Sequence, residues 1–379
     1  MLDKSQGVGV IMDGVDSEFQ KLLGRFRNDH IPFQSLRERL SIGTPLAAFH
    51  AIEGPVAPPP PDSIQDVTAL SPTEDAALRE LGTDALSRGE LAVVVLAGGM
   101  ATRFGGVVKA LAPLSDNTDL TFLDVKLADF GAHKLEVCIM SSFATQDALE
   151  LALASRSAGD RLSLSPQFAS FRLQPNGELF LGKDGQPSRY ATGHGDLTDA
   201  LVSSGHSTRW KQQGVRTILV MNVDNLGATI DPLVLGAHLA SRKSVTAELV
   251  RKHPGDRGGV AALHGGHVKL CEAFRLPSDF PHEMVPCFNT NTLWVDIEAL
   301  DRTYPWTWCA ASKRVDDREA IQFERLIGEL TWWLPSHYLL VSREGTKSRF
   351  LPIKEMGDLR ETHVEIRELL RQRLNLSLT

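Results

Sequence analysis

The sequence is poor in cysteine and has no long apolar run. Its four cysteines, Cys138, Cys271, Cys287 and Cys309, are far apart and form no CxxC pair. That argues against a zinc site or a disulfide framework and for buried thiols in a reducing compartment. No stretch approaches the about 20 apolar residues that a membrane span needs. The opening segment, MLDKSQGVGVIMDGVDSEF, lacks a basic region followed by a sustained apolar core, so no secretory leader is read there. The expected location is the cytoplasm, with no membrane partner. There is no excess of positive charge: the formal net charge is −7, which argues against a general nucleic-acid backbone binder but leaves room for a local basic pocket. Neither a GxGxxG fingerprint nor a Walker GxxxxGK[ST] occurs, which disfavours a dinucleotide-dependent oxidoreductase and a Walker-type ATPase. There is no internal repeat.

What remains is an ordinary globular composition, 42% apolar and 23% charged over 379 residues, enough for one large α/β domain with additions or for two domains. Its most informative stretch is Leu91 to Lys109, LAVVVLAGGMATRFGGVVK. The Val-rich run reads as a buried parallel strand. The glycines after it, Gly98, Gly99, Gly105 and Gly106, allow a sharp turn and close approach of backbone to a ligand. Free N–H groups there cradle phosphate, and Arg103 and Lys109 add positive charge. An ordinary strand-to-helix turn is the competing reading.

Around that stretch the pattern alternates. Residues 15–40 have helical spacing, broken near Ile31-Pro32. Glu53 to Asp62, with four consecutive prolines, reads as a polyproline II connector. Ser71-Pro72-Thr73-Glu74 starts a helix, with a Ser cap, Pro at the first position and acid in the first turn. Helices over 121–130 and 145–153 flank a strand at 135–141, and a third buried strand spans 216–223. Asp231-Pro232 caps a helix to about Ser241. Strands are read at 245–251, 268–273 and 285–297, a helix at 318–333, a short strand at 349–354, and an amphipathic helix at 362–376. Strand–helix alternation of this kind predicts an α/β fold: a Rossmann-like, mostly parallel sheet with helices on both faces.

In open parallel sheets ligands sit at the carboxyl ends of the strands, which puts the glycine loop and Asp224 on one edge; other candidates are read from local pattern. Asp224, in the sequence Asn222-Val223-Asp224-Asn225, suits Mg²⁺, an ion that takes one or two carboxylates plus substrate phosphates; a turn-forming Asp-Asn pair is the alternative. Gly193 and Gly195 bracket His194, so backbone and imidazole can approach a phosphate or a base together, unless this is simply a satisfied loop histidine. Asn289 and Asn291 alternate along an extended segment, so their amides share one face and suit a polyhydroxylated ligand, with Glu272 as a further acceptor. Lys354 ends an apolar run, either snorkelling or held against an anion.

Together these segments resemble the UTP–sugar-1-phosphate uridylyltransferases, the UDP-glucose pyrophosphorylases in particular, through ordered motifs over about residues 91–358. LAGGMATRFGGVVK is similar to the family's nucleotide loop. Thr121-Phe122-Leu123-Asp124, Met140-Ser141-Ser142-Phe143, Ser165-Pro166-Gln167-Phe168, Gly193-His194-Gly195-Asp196, Asn222-Val223-Asp224-Asn225, Arg257-Gly258-Gly259, Phe288-Asn289-Thr290-Asn291 and Arg349-Phe350-Leu351-Pro352-Ile353-Lys354 resemble the others. The resemblance implies a fold of the nucleotide-diphospho-sugar transferase type, with residues 1–62 as a helical extension and Pro-rich connector and 63–379 as the nucleotidyltransferase domain. It implies UTP and a sugar 1-phosphate as partners, Mg²⁺ as cofactor, and UDP-glucose as product, with UDP-galactose, a UDP-N-acetylhexosamine, or a non-catalytic UTP sensor as alternatives. The implied roles are Mg²⁺ on Asp224; Lys354, Arg103 and Lys109 on the phosphates; Gly98, Gly99, Gln167, Gly193 and His194 on the nucleotide; and Gly259, Glu272, Asn289 and Asn291 on the sugar. Two departures stand out. Ala101 occupies a glycine position of the family's loop, which leaves part of the phosphate work to Arg103. The C-terminal β-helix of eukaryotic relatives is not expected here, nor any oligomer built through it.

Overall fold

A computed structural model of the chain describes residues 24–26, 30–101, 107–115, 117–131, 133, 135–154, 156, 161–256 and 258–376. Arg103, with the rest of 102–106, and Arg257 lie outside the described residues, as do residues 1–23.

The architecture is set by one eight-stranded sheet. In chain order its strands are β1 (Gln65–Asp66), β2 (Leu91–Leu96), β3 (Glu136–Ser141), β4 (Leu162–Pro166), β5 (Thr217–Asn222), β6 (Val245–Arg251), β7 (Cys287–Asp296) and β8 (Ser336–Leu340). They lie side by side in the order β1-β8-β6-β7-β5-β2-β3-β4. β7 alone runs antiparallel to its neighbours, and the other pairings are parallel.

The unbroken apolar runs of the central strands follow from burial on both faces. Leu91, Val93 and Val95 of β2 enter one core, together with Val137, Ile139, Leu219 and Met221. The intervening Ala92, Val94 and Leu96 enter the other, with Cys138, Met140, Ile218 and Val220. On the first face pack α1 (Pro72–Ser87), α2 (Phe122–Gly131), α3 (Pro232–Ser241) and the C-terminal α4 (His363–Leu374). Leu197–Ser203 and His206–Gln212 cover the second, with Trp210 fully buried. Ser71 closes a capping box with Glu74 at the start of α1, and the Asp231 side chain accepts from the Leu233 N–H at the start of α3, as the Ser/Asp-Pro signals predict. Residues before the sheet pack beside it rather than on it: Leu36, Leu40 and Phe49 form a separate cluster with Leu173, Ile321 and Phe323, and Val56–Ala57 pairs with Leu263–His264 in a second, three-stranded sheet.

Two expected elements take another form. Residues 318–333 are not one helix. Arg318–Glu324 is a strand paired antiparallel with Cys309–Val315, and helical structure begins only at Ile327. The cause is the turn: Asp316 and Asp317 have φ of 49° and 62°, the two-residue left-handed pair that matches hairpin twist, carried here by residues weaker as a turn signal than Asn-Gly. The segment 349–354 is extended, but its only ladder contact among the described residues is the bridge Pro352–Asn225. It is tied down by a few backbone bonds and by side chains rather than by a strand of the sheet.

α1 and α3 cross at two glycines. A Cβ on Gly82 would lie 1.9 Å from the Pro232 carbonyl oxygen, and one on Gly236 would lie 1.8 Å from that of Leu78. Neither backbone can retreat without lifting a helix off the sheet. Gly82→Ala is therefore expected to lower stability by about 1–3 kcal/mol, and Gly236→Ala likewise. Denaturant midpoints unchanged in both variants would show that the crossing is loose.

Candidate active site

The strand order reverses between β2 and β5, and in open α/β sheets the loops leaving strands at such a reversal diverge and take up ligands at the carboxyl ends. Both loops carry candidate residues. β2 leads to Ala97, Gly98 and Gly99; β5 leads to Val223 and Asp224.

On the β2 side, the Gly98 carbonyl accepts from Ser142 Oγ (2.7 Å). A Cβ on Gly98 would stand 2.8 Å from Gln167 Oε1, so only glycine lets the Gln167 amide lie against this backbone. Gln167 itself is anchored by its N–H to the Ser141 carbonyl (2.8 Å). Among the described residues, a Cβ on Gly99 would meet nothing within 4 Å.

The Gly193–Asp196 turn stands next to Gln167. Thr192 N–H donates to the Phe168 carbonyl (3.0 Å), and Phe168 N–H donates to Asp196 Oδ2 (3.1 Å). Gly193 has φ of 97°, and a Cβ there would fall 2.5 Å from the Arg325 carbonyl oxygen. His194 Nδ1 accepts the Ile327 N–H (3.0 Å), so the imidazole is neutral with its proton on Nε2, available to donate to a ligand oxygen. Burial agrees, pushing its pKa down to about 4.

The β5 side carries charge. Lys109 Nζ lies 2.7 Å from Asp224 Oδ2, with the two side chains 14% and 25% exposed. The Asp224 carbonyl accepts the Ile353 N–H (3.0 Å), and the exposed Lys354 is the next residue in the chain. Among the described residues no three His, Cys, Asp or Glu side chains gather to hold a metal. A single carboxylate at a strand end, once its lysine partner gives way, fits Mg²⁺ in its usual mode, shared between one protein carboxylate, waters and substrate phosphates.

The predicted sugar side is partly assembled. Glu272 Oε1 and Asn289 Nδ2 flank Gly259, where a Cβ would lie 2.9 and 3.2 Å from them. Burial raises the Glu272 carboxyl above its ordinary value, against the pull of Arg275. Asn291 departs from the expected same-face alternation. It has φ of 58° at a bulge where the β6–β7 register shifts. Its Nδ2 donates to Asn222 Oδ1 (3.0 Å), while its N–H donates to Asn289 Oδ1 (3.0 Å). The bulge re-aims Asn291 from Asn289's neighbourhood toward the Asp224 loop.

Two further residues hold the site and were not singled out in the sequence. Lys126 on α2 is buried, and its Nζ donates to the carbonyls of Asn225 (2.6 Å) and Ala228 (2.5 Å); burial pushes its pKa down to about 8. Arg325 donates to Asp196 Oδ1 from Nε (2.8 Å) and Nη2 (2.5 Å) and to Asp199 from Nη1 (2.7 Å). Its backbone clasps the same turn, with its N–H on the Thr192 carbonyl and its carbonyl on the Gly195 N–H. A lysine within the apolar helix Phe122–Gly131 is the one visible signal for Lys126. Nothing local marks Arg325.

With this geometry in view, comparison with known proteins is decisive about kinship. The family model described as UTP–glucose-1-phosphate uridylyltransferase matches residues 47–377. The chain belongs to that family. Among curated members, the UTP–glucose-1-phosphate uridylyltransferase of Encephalitozoon cuniculi is 27% identical, over 71% of this chain and 57% of its own length. The UTP–glucose-1-phosphate uridylyltransferase 2 of Dictyostelium discoideum is also 27% identical, over 80% and 63% respectively. The chain thus spans about three-fifths of these relatives. Solved structures of the same fold include a mutant UDP-glucose pyrophosphorylase from Leishmania major in complex with UDP-glucose (TM-score 0.68, 22% identity, 91% of this chain and 78% of that one). They also include the UDP-N-acetylglucosamine pyrophosphorylase from Trypanosoma brucei (TM-score 0.74, 18% identity, 94% and 80%). These likenesses establish the mixed, mostly parallel α/β fold of this uridylyltransferase family. Among the described residues no helix is long and apolar enough to cross a membrane.

The neutral state of His194 has a measurable consequence. Its pKa is depressed in the folded chain and ordinary in the unfolded one, so its contribution to stability is complete above about 6.5 and drains away as pH falls toward about 4. In His194→Asn the amide oxygen occupies the place of Nδ1 and still accepts from Ile327, but nothing titrates. The stability difference between wild type and this variant should be constant above pH 6.5 and shift in the variant's favour on acidification. Parallel stability curves down to pH 4.5 would show that His194 is not buried neutral.

Proposed function

We propose that this chain is a nucleotidyltransferase that converts UTP and a sugar 1-phosphate into a UDP-sugar, UDP-glucose first, and pyrophosphate. The observation that carries this reading is the convergence at Asp224. The Lys109–Asp224 ion pair sets one lysine on this carboxylate at the strand-order reversal, and the Ile353–Asp224 backbone bond holds the residue preceding Lys354 against the same aspartate from a distant part of the sequence. No protein nucleophile stands there among the described residues, and the proposed reaction needs none. A phosphate oxygen of the sugar 1-phosphate attacks the α-phosphorus of UTP in line, and pyrophosphate leaves from the opposite side. The protein's part is to hold two polyanions together and neutralise the charge that develops between them.

In this reading Gln167 and the Gly98 backbone read the uracil edge, and His194 Nε2–H donates to a nucleotide oxygen. Gly259, Glu272, Asn289 and Asn291 meet the sugar. Lys354 sits at the phosphates undergoing exchange, with Lys109 and Arg103 toward the β- and γ-phosphates. Asp224 would hold Mg²⁺, which when bound supplies Lewis-acid neutralisation of bridging phosphate oxygens. Glucose is favoured because the matching family and its curated members bear its name.

Lys354→Ala should lower kcat about 100-fold or more while changing KM little, because the transition-state charge loses its partner; an unchanged kcat removes Lys354 from the mechanism. Pyrophosphate release measured across UTP and the other nucleoside triphosphates, each with glucose, galactose and N-acetylglucosamine 1-phosphates, tests the reaction itself. Release from UTP with glucose 1-phosphate is expected to be fastest, and release from none of the pairs would make the chain a binding protein.

A further inference from the structure

Lys109 does more in this structure than wait for a phosphate: its ammonium already occupies the carboxylate proposed to hold the metal. We infer that Lys109 makes Asp224 selective for a divalent cation that arrives with a nucleoside triphosphate, and excludes the free ion. This rests on the reading of Asp224 as the metal-holding residue.

The geometry supports it from three sides. First, Nζ and Oδ2 are 2.7 Å apart and both side chains are largely covered, 14% and 25% exposed. A cation approaching Asp224 alone must therefore displace an ammonium and remain beside it, with two like charges at one carboxylate and reduced screening by water. Second, the Asp224 backbone is pinned. Its carbonyl is held by Ile353 N–H, and the carbonyls of Asn225 and Ala228 are held by the buried Lys126. Lys126 adds a positive field close to Asp224. Third, Lys109 has somewhere to go. It opens the turn Lys109–Leu111 directly after Val107–Val108, which pairs with Met100–Ala101 at the base of the glycine-rich loop. A triphosphate lying on that loop offers the ammonium new anionic acceptors, and its departure uncovers Asp224. Metal and nucleotide then each favour the other's binding, and by linkage the coupling is the same in both directions.

The same substitution should consequently act with opposite sign on the two ligands. Mn²⁺ serves as the paramagnetic probe, read by water-proton relaxation, and UTP without any sugar 1-phosphate prevents turnover. In Lys109→Met, Mn²⁺ alone should bind about fivefold or more tighter than to wild type. UTP alone, in the presence of EDTA, should bind more weakly. The gain in Mn²⁺ affinity caused by UTP should shrink by the same factor. Lys109→Gln should repeat the pattern, and misfolding cannot imitate it, since a damaged site loses both ligands. Unchanged or weaker binding of Mn²⁺ alone to Lys109→Met, with Asp224→Asn abolishing the metal effect, overturns the inference but leaves Asp224 as the metal residue. Wild-type Mn²⁺ binding in Asp224→Asn, with and without UTP, overturns the metal reading itself.

Discussion

Much of this molecule depends on the side chain of Asn225. It is almost fully buried at the end of β5, and its amide replaces the sheet ladder that the segment 349–354 lacks. Nδ2 donates to the Arg349 carbonyl (3.1 Å), while Oδ1 accepts from the N–H groups of Leu351 (2.8 Å) and Gly227 (3.2 Å). An amide that offers a donor and an acceptor together is suited to bind an extended strand segment side-on. Arg349 secures the same segment from below through Glu248, with Nε and Nη2 at 2.5 and 2.7 Å, and donates to the Thr229 carbonyl (2.9 Å). Once these groups are paired, Ile353 reaches the Asp224 carbonyl and Lys354 follows. Loss of either partner would leave buried polar groups unpaired, at a cost well above that of an exposed hydrogen bond.

The rest of the crevice is built the same way, by buried polar groups holding loops that emerge from a rigid apolar sheet. Asp196 and Arg325 shape the turn that presents His194; Lys126 shapes the turn behind Asp224; Gly98 and Gly259 leave the room that Gln167, Glu272 and Asn289 fill. The sheet supplies stiffness through its two apolar cores, and the loops supply chemistry. This division explains why the candidate ligand-facing groups come from many distant segments while the supporting pairs cross equally long distances. Like-signed charge is tolerated near Asp224 because the carbonyls and carboxylates around it absorb the ammonium groups, and that same neutralisation ties Lys109 to the Asp224 carboxylate.

Alternating strands and helices and their capping signals were legible in the sequence, because each depends on neighbours a few residues away. The burial of β2, β3 and β5 followed from runs without polar interruption, and the starts of α1 and α3 from Ser-Pro and Asp-Pro pairs. The misread stretches have a common origin. Arg318–Glu324 became a strand because Asp316 and Asp317 accept left-handed backbone angles that their residue types only weakly advertise. Asn291 left its expected face because a bulge in β7 shifts the pairing with β6. The 349–354 segment is held by Asn225, about 125 positions earlier, which no local window contains.

The sequence by itself determined the α/β class, the family and the residue types available for phosphate and metal chemistry, since periodicity, capping and ordered motifs are properties of the chain. Only the tertiary structure decided which of those residues meet: that Lys109 pairs with Asp224, that His194 is neutral with its Nε2 proton free to donate, that Asn291 turns toward Asn222, and that Lys126 and Arg325 support the loops. These outcomes depend on distances across the sheet and on burial, which set both the partners and the charge states of the groups.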